Sequence, residues 1–260
     1  MIGTRVPDAW DPRQYERFRA ERWTPFVDLA ALVEPRPGLR IVDLGCGTGE
    51  TTRWLHDTLG AAATLGIDRS RAMLARAAEA PGLRFAHGAI EDFADRGAWD
   101  LVFSNAALHW IGDHPALFAR LAAALAEDGQ LAVQMPANFD GLEHVAAAET
   151  AAEAPFREHL GDVPALGGHV LAPEAYATLL ARMGFRTQHV RLQVYAHWLA
   201  AREDVVEWTK GSLLAAYRER LPPALHDAFL ARYRARLLPR LADARPFFFP
   251  FKRLLLWGRR

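Results

Sequence analysis

The chain has 260 residues, of which 51% are hydrophobic, enough to bury the core of one α/β domain carrying a sizeable insertion. Lys and Arg number 31, as do Asp and Glu, and the resulting zero net charge argues against a nucleic-acid or membrane partner. The single cysteine, Cys46, excludes an intrachain disulfide. Without a secretory leader or an apolar run of ~18 residues, the sequence predicts a cytoplasmic protein.

The first half of the chain alternates short apolar strands with helices. A helix is predicted over residues 14–33. It is followed by strands at 39–44, 63–67, 83–86, 100–104 and 130–135, with helices at 51–59, from Ser70, and at 115–126. This rhythm predicts a parallel sheet with helices on both faces, whose ligands bind beyond the carboxyl ends of the strands.

The second half is mostly helical, over residues 141–183 and 202–238, with a break at Pro222-Pro223. Alternation predicts a strand at 186–197, and an aromatic-rich strand closes the chain at 247–257. We expect these two late strands to complete the sheet and the helices to cap its carboxyl edge.

A glycine-rich turn, Gly45-Cys46-Gly47-Thr48-Gly49, follows the first strand, and Asp68 ends the second. Glycines at a strand-to-helix turn let a ligand approach the backbone, and an acid at the next strand end can accept hydrogen bonds from ribose hydroxyls. The spacing differs from the G-x-G-x-x-G of nicotinamide-binding proteins. Asp43 would also repel a pyrophosphate, whereas it suits the cationic amino group of a methionine moiety.

The turn and Gly66-Ile67-Asp68 resemble the first two motifs of class I S-adenosylmethionine-dependent methyltransferases. Further runs resemble the trans-aconitate 2-methyltransferase family. They are Trp10-Asp11-Pro12-x-x-Tyr15-x-x-Phe18-x-x-Glu21-Arg22, Ser104-Asn105-Ala106-Ala107-Leu108-His109-Trp110, Val133-Gln134-Met135-Pro136-x-Asn138-Phe139, His144 and Glu207-Trp208-Thr209. The resemblance implies an α/β, Rossmann-like fold with a seven-stranded, mostly parallel sheet and a helical cap. It also implies a cytoplasmic enzyme that methylates a carboxylate of a small tricarboxylic acid and releases S-adenosylhomocysteine.

On this reading the chain divides into six segments. They are a cofactor-covering helix at 1–37, the Rossmann-like core at 38–140, cap segments at 141–184 and 201–245, and sheet strands at 185–200 and 246–260.

Candidate site residues follow from the motifs and the resemblance. The predicted cofactor-binding residues are Tyr15, Arg22, Asp43, Gly45, Cys46, Gly47, Asp68, Arg69, Met73, Ile90, Glu91, Asn105 and Trp110. The predicted substrate-binding residues are Trp10, His109, His144, Trp208, Lys210 and Arg245, and the catalytic candidates are His109, Trp110 and His144. Trp10 and Trp110 could pack against the adenine or the sulfonium of the cofactor. Alternatively, both could be ordinary core aromatics.

Two features depart from the family pattern. Ala89 occupies the position at which family members usually carry an acid near the adenine amino group. The Ile90 backbone, Glu91 or Asp92 would then have to bind the adenine. The Gly-Leu-Arg-Pro element, whose Arg can grip a carboxylate, is replaced by Ser212-Leu213-Leu214-Ala215-Ala216. Lys210, Arg245, Lys252 and Arg253 are the candidate substitutes.

The nature of the nucleophile decides whether a base is required. A carboxylate is ionised at neutral pH and needs none, whereas a hydroxyl, phenol or amine would need one, and His109 or His144 is the candidate. The alternative function is methylation of a hydroxyl or carbon of another small metabolite. An oxidoreductase and a non-catalytic nucleotide-binding protein are the rival classes. No Cys/His ligand spacing indicates a metal, and nothing indicates an obligate protein partner.

Overall fold

The computed structural model describes residues 19–161 and 168–260. Its strands are β1 Arg40–Leu44, β2 Ala63–Asp68, β3 Leu83–His87, β4 Trp99–Asn105, β5 Leu125–Pro136, β6 Thr187–Leu199 and β7 Phe247–Arg259. Its helices are α1 Arg19–Ala30, α2 Glu50–Leu59, α3 Arg71–Leu74, α4 His114–Ala124, α5 Leu142–Ala151, α6 Phe156–Leu160, α7 Pro173–Arg182, α8 Glu203–Lys210, α9 Ala215–Arg218 and α10 Pro223–Leu237. Short 3-10 turns lie at Ile90–Asp92, Leu108–Trp110 and Leu238–Arg240.

The seven strands form one sheet in the order β3-β2-β1-β4-β5-β7-β6. Strands β1 to β5 run parallel, and β7 pairs antiparallel with β5. The chain moves outward from β1 through β2 to β3 and then returns to place β4 on the other side of β1. The strand order therefore reverses at β1, and ligands of open α/β sheets bind beside such a switch point. The predicted seven-stranded, mostly parallel sheet is confirmed.

Helices pack on both faces of the sheet. On one face Val102 and Val133 belong to the same buried cluster as Phe118 of α4. On the other face the Phe103 ring meets Phe26 of α1 edge to face at 5.7 Å. Two apolar faces, each covered by helices, account for the continuous apolar runs of the parallel strands.

The boundary between α4 and β5 differs from the prediction. The helix predicted to Ala126 ends at Ala124, and Leu125 is extended, with φ −71° and ψ 139°. Leu125 pairs with Trp99 as the first residue of β5, so sheet pairing overrides the helical propensity of this segment. At the amino end, α1 closes at Ala30 rather than at residue 33, and residues 14–18 of the predicted helix lie outside the described residues.

The chain divides into two compact units. The sheet unit comprises Ala20–Ala137, His169–Gln193 and Lys252–Arg260. The helical unit comprises, among the described residues, Arg19, 138–161, Gly168 and Val194–Phe251. Helix α7 lies within the sheet unit, where Tyr176 and Leu180 join the buried core. The six-segment division made from the sequence stays a prediction.

The helical unit has a core of its own. Phe229, Tyr233 and Leu237 of α10 are fully buried in a cluster that includes Trp208 of α8. Arg236 of the same helix pairs with Glu153, which ties α10 to the end of α5. Among residues 19–161 and 168–260, no helix is both long and apolar enough to cross a membrane.

Candidate cofactor and substrate site

The glycine-rich turn between β1 and α2 is held close to its neighbours. The N–H groups of Gly45 and Cys46 both donate to the Ile67 carbonyl, at 2.8 and 3.1 Å. Gly45 has φ +82°, and a Cβ there would lie 2.3 Å from the Ala107 Cβ. Glycine at this position therefore permits both the left-handed backbone and the close approach of the loop that follows β4.

Asp43 is a buried carboxylate next to this turn. It is 3% exposed, and its Oδ2 accepts a hydrogen bond of 2.6 Å from the Thr52 hydroxyl of α2. Burial raises the pKa of Asp43 to about 7; the Thr52 hydrogen bond opposes this rise and the negative charge of Asp68 adds to it. A bound ammonium group would supply the countercharge that the ionised carboxylate requires, so Asp43 fits the amino group of S-adenosylmethionine.

Asp68 connects β2 to the same turn. Its Oδ2 accepts from the Gly47 N–H and its Oδ1 from the Ser70 N–H, both at 2.8 Å. Each carboxylate oxygen has a second lone pair, and ribose hydroxyls could donate to these. The carboxylate is thus fixed in orientation before any ligand binds.

The remaining predicted cofactor residues after β1, β2 and β3 differ in exposure. Met73 and Ile90 are buried, whereas Arg69 and Glu91 are exposed. Cys46 is 4% exposed, and burial, aided by the nearby carboxylates of Asp43 and Asp68, raises the pKa of its thiol. A thiol held protonated in this way is a poor nucleophile, and the side chain fills space behind the turn.

The loop after β4 carries the next group of predicted residues. Asn105 ends the strand and pairs in register with Gln134 of β5. The buried His109 ring lies 4.8 Å from the half-buried Trp110 ring, tilted by 42°. Asparagine, histidine and tryptophan therefore follow one another at the carboxyl end of β4, next to β1 and its glycine turn.

Four predicted substrate residues lie in the helical unit. Burial lowers the pKa of His144 to about 4, against a small opposing effect of Asp140, so this imidazole is neutral at pH 7. Trp208 is buried, with its ring 4.9 Å from that of His197. Lys210 donates to Glu207 at 2.6 Å, and Arg245 is exposed.

Not every predicted residue can be located. Trp10 and Tyr15 lie outside the described residues, and Arg22 lies in α1. The sheet unit brings the other predicted cofactor residues to the carboxyl edge of β1, β2, β3 and β4. Among the side chains that the structure describes, no group of three or more His, Cys, Asp or Glu could hold a metal ion.

Sequence reasoning missed two polar contacts, one in each unit. Thr52 hydrogen-bonds to Asp43, and Asn138 donates to the buried Glu143. The Thr52 contact could have been predicted, because Thr52 lies in the first turn of α2, and α2 follows the strand that carries Asp43 near its end. Asn138 and Glu143 offered none, because their pairing depends on how the chain turns before α5.

A glycine turn after β1 with acids at the ends of β1 and β2, on a sheet that reverses order at β1, defines the class I S-adenosylmethionine-dependent methyltransferases. A family model described as a methyltransferase domain matches residues 15–190. The trans-aconitate 2-methyltransferase of Deinococcus radiodurans is 44% identical over 222 residues, which cover 83% of this chain and 84% of the relative. The chain belongs to the trans-aconitate 2-methyltransferase family.

Solved structures agree with this fold. The YcgJ protein of Bacillus subtilis superposes with a TM-score of 0.59 at 14% identity, covering 92% of this chain and 98% of that one. An S-adenosylmethionine-dependent methyltransferase from Mesorhizobium loti gives a TM-score of 0.50 at 24% identity, covering 90% of this chain and 96% of that one. At these identities the likeness establishes the shared Rossmann-like architecture.

Proposed function

We propose that the enzyme methylates a carboxylate of trans-aconitate, or of a closely related small acid, to give its methyl ester. The observation that carries this proposal is the 44% identity to a trans-aconitate 2-methyltransferase over most of both chains. The proposal includes a cytoplasmic reaction on a free anionic metabolite, without an obligate protein partner.

S-adenosylmethionine supplies an electrophilic methyl group on a sulfonium; a carboxylate oxygen forms the new bond to that carbon as the carbon–sulfur electron pair passes to sulfur. No proton moves, because the acid is already ionised at neutral pH. The chain's task is therefore to bind, orient and exclude water.

Each cofactor residue has a proposed part in that task. Asp43 faces the amino group, Asp68 accepts from the ribose hydroxyls, and Ile90 packs on the adenine. Asn105 and Trp110 border the reacting groups at the end of β4. Trp208 and His144, which belong to the helical unit, are proposed substrate-binding residues.

The buried His109 favours a second candidate. A hydroxyl or phenol must lose its proton during transfer, and His109, beside Trp110 on the loop after β4, could accept it. The two proposals differ in product, because a methyl ester is hydrolysed by mild alkali and a methyl ether is not.

The test is release of S-adenosylhomocysteine with trans-aconitate, cis-aconitate, citrate and isocitrate, followed by alkaline treatment of the product. We expect turnover on trans-aconitate and an alkali-labile product. The Asp43→Asn variant is the control, because a loss of cofactor affinity should abolish the signal with every acid. Absence of turnover on all four acids, with S-adenosylhomocysteine binding intact, would overturn the proposed substrate.

A further inference from the structure

Two glutamines on β5 are equally buried and differently bonded. Gln130 and Gln134 are both 0% exposed. The Gln130 amide donates to the Glu34 carbonyl at 2.9 Å and accepts from the Glu34 N–H at 2.8 Å and from Trp257 Nε1 at 2.9 Å. Neither side-chain polar atom of Gln134 makes a hydrogen bond to any residue that the structure describes.

A buried amide without partners destabilises the folded chain, and native structures contain few of them. Gln130 shows that this strand can accommodate a glutamine whose hydrogen bonds are complete. No residue in 19–161 or 168–260 uses the bonding potential of Gln134, so a ligand could use it. The pattern is typical of a side chain that meets a ligand.

The sheet register places Gln134 on the ligand-binding edge. Asp43 pairs with Phe103 of β4, and Phe103 pairs with Ala132 of β5. Partners in register share a face, and residues two apart on a strand share it too. Gln134 therefore lies on the same face as Asp43, near the carboxyl end of β5.

Asn105 lies between the two. It pairs directly with Gln134, and its Oδ1 is likewise buried without a hydrogen bond to any described residue. Neighbouring strands are about 4.8 Å apart and residues two apart on a strand about 6.7 Å apart, so Gln134, two strands across and two residues further along, lies roughly 12 Å from Asp43. Gln134 therefore lies farther from Asp43 than Asn105 does, on the same edge of the sheet.

A buried cation stands next to Gln134. Arg253 of β7 is 4% exposed, and the register pairs Leu255 with Gln134 and Arg253 with Pro136. Arg253 is thus a diagonal neighbour of Gln134 on the same face, with Cα atoms about 7–8 Å apart. A guanidinium and an amide N–H together suit a carboxylate.

The other candidate cations are less suitable. The Lys210 side chain is 38% exposed and Arg245 is exposed, so water weakens the hold of either one on an anion. Arg253 combines burial with a place beside an amide that has no partner among the described residues.

We propose that Gln134 and Arg253 form the seat for the substrate's carboxylate groups, beside Asn105. This inference rests on the proposed function. Arg253 supplies the positive charge that the carboxylate groups require. Gln134 is a neutral donor, so it orients an acid group without removing the negative charge that makes the oxygen nucleophilic.

The decisive variant is Gln134→Met, which preserves side-chain size and removes the amide. We expect its thermal unfolding temperature to equal or exceed that of the wild type, because an unbonded polar group is lost. We expect its KM for trans-aconitate to rise about tenfold or more, with S-adenosylhomocysteine affinity unchanged within a factor of two.

Gln130→Met is the matched control, with the same substitution on the same strand. It removes three hydrogen bonds, so the unfolding temperature should fall while the KM of the folded enzyme stays near that of the wild type. Arg253→Met should raise KM by a larger factor than Gln134→Met, and Arg253→Lys should recover part of the loss.

Two failures are distinguishable. A wild-type enzyme without turnover on any of the four acids would refute the proposed function, and this seat with it. An active wild type whose Gln134→Met variant keeps its KM, or loses stability as Gln130→Met does, would overturn only the seat.

Discussion

Protonation of Asp43 should control cofactor affinity near neutral pH. The carboxyl has a pKa of about 7 because it is buried, and its proposed partner is an ammonium group. Only the ionised form attracts that group. The ionised fraction is about 90% at pH 8 and about 1% at pH 5, since each pH unit below the pKa changes it about tenfold. S-adenosylhomocysteine should therefore bind roughly 100-fold more weakly at pH 5 than at pH 8.

The same group gives an opposite trend in the free protein. The folded pKa of Asp43 lies above its ordinary value of 3.8, so between pH 4 and 7 the folded state holds more protons than the unfolded state. Stability then falls as pH rises through that window, by roughly 4 kcal/mol at about 1.4 kcal/mol per pH unit. Ligand binding and folding thus respond to pH with opposite signs.

Calorimetric titration of S-adenosylhomocysteine from pH 5 to 8 measures the first trend, and thermal unfolding of the free protein over pH 4–7 measures the second. Asp43→Asn should bind weakly at every pH and be more stable than the wild type at pH 8. Asp100→Asn is the control, because Asp100 pairs with Arg40 at 3.0 Å, at the opposite ends of β1 and β4. A wild-type affinity that does not change with pH would refute the role of Asp43.

Three further predictions concern Asp68, Gly45 and His144. Asp68→Ala should reduce S-adenosylhomocysteine affinity at least tenfold in calorimetry, since the carboxylate accepts hydrogen bonds from the Gly47 N–H of the turn and from the Ser70 N–H, worth ~1.5–3 kcal/mol each. Unchanged affinity would contradict this prediction. Gly45→Ala should unfold at a much lower temperature, because its Cβ would meet Ala107. Gly60→Ala is the control: Gly60 has φ +56° and nothing within 4 Å, so the substitution should lower the free energy of unfolding by only about 1 kcal/mol. The kcat of His144→Asn on trans-aconitate should stay within a few-fold of the wild-type value from pH 5 to 8. The wild-type imidazole, with a pKa of about 4, is neutral over that range, and a carboxylate nucleophile needs no base. A hundredfold loss of kcat would favour an acceptor that must be deprotonated.

Local signals were sufficient for the Rossmann-like half of the fold. Strands β1, β2 and β3 each end in an acid or are followed directly by a glycine, so the place and direction of each could be predicted from neighbouring residues. The chemistry of the glycine turn followed in the same way, because Gly45, Asp43 and Asp68 are positioned by adjacent segments. Whether Arg69 and Glu91, which are exposed, contact a ligand stays a prediction.

Long-range pairing was beyond the same reasoning. Leu125 begins a strand only because Trp99 pairs with it, and the segment Leu-Ala-Glu-Asp by itself favours a helix. Gln130 and Gln134 look alike in an apolar strand. Their difference depends on Glu34 and Trp257, which lie 96 and 127 residues away from Gln130.

The position of β7 constrains the order in which the chain can assemble. Although β7 follows β6 in sequence, it lies between β5 and β6 in the sheet. During synthesis β6 leaves the ribosome long before its sheet neighbour, and the outer edge of β5 stays unpaired for the same period. When residues 247–259 are synthesised, β7 inserts between β5 and β6 and pairs with both strands. Nascent chains halted before residue 247 should therefore show a protease-resistant β1–β5 region and an accessible β6, with a tendency to associate through both open edges.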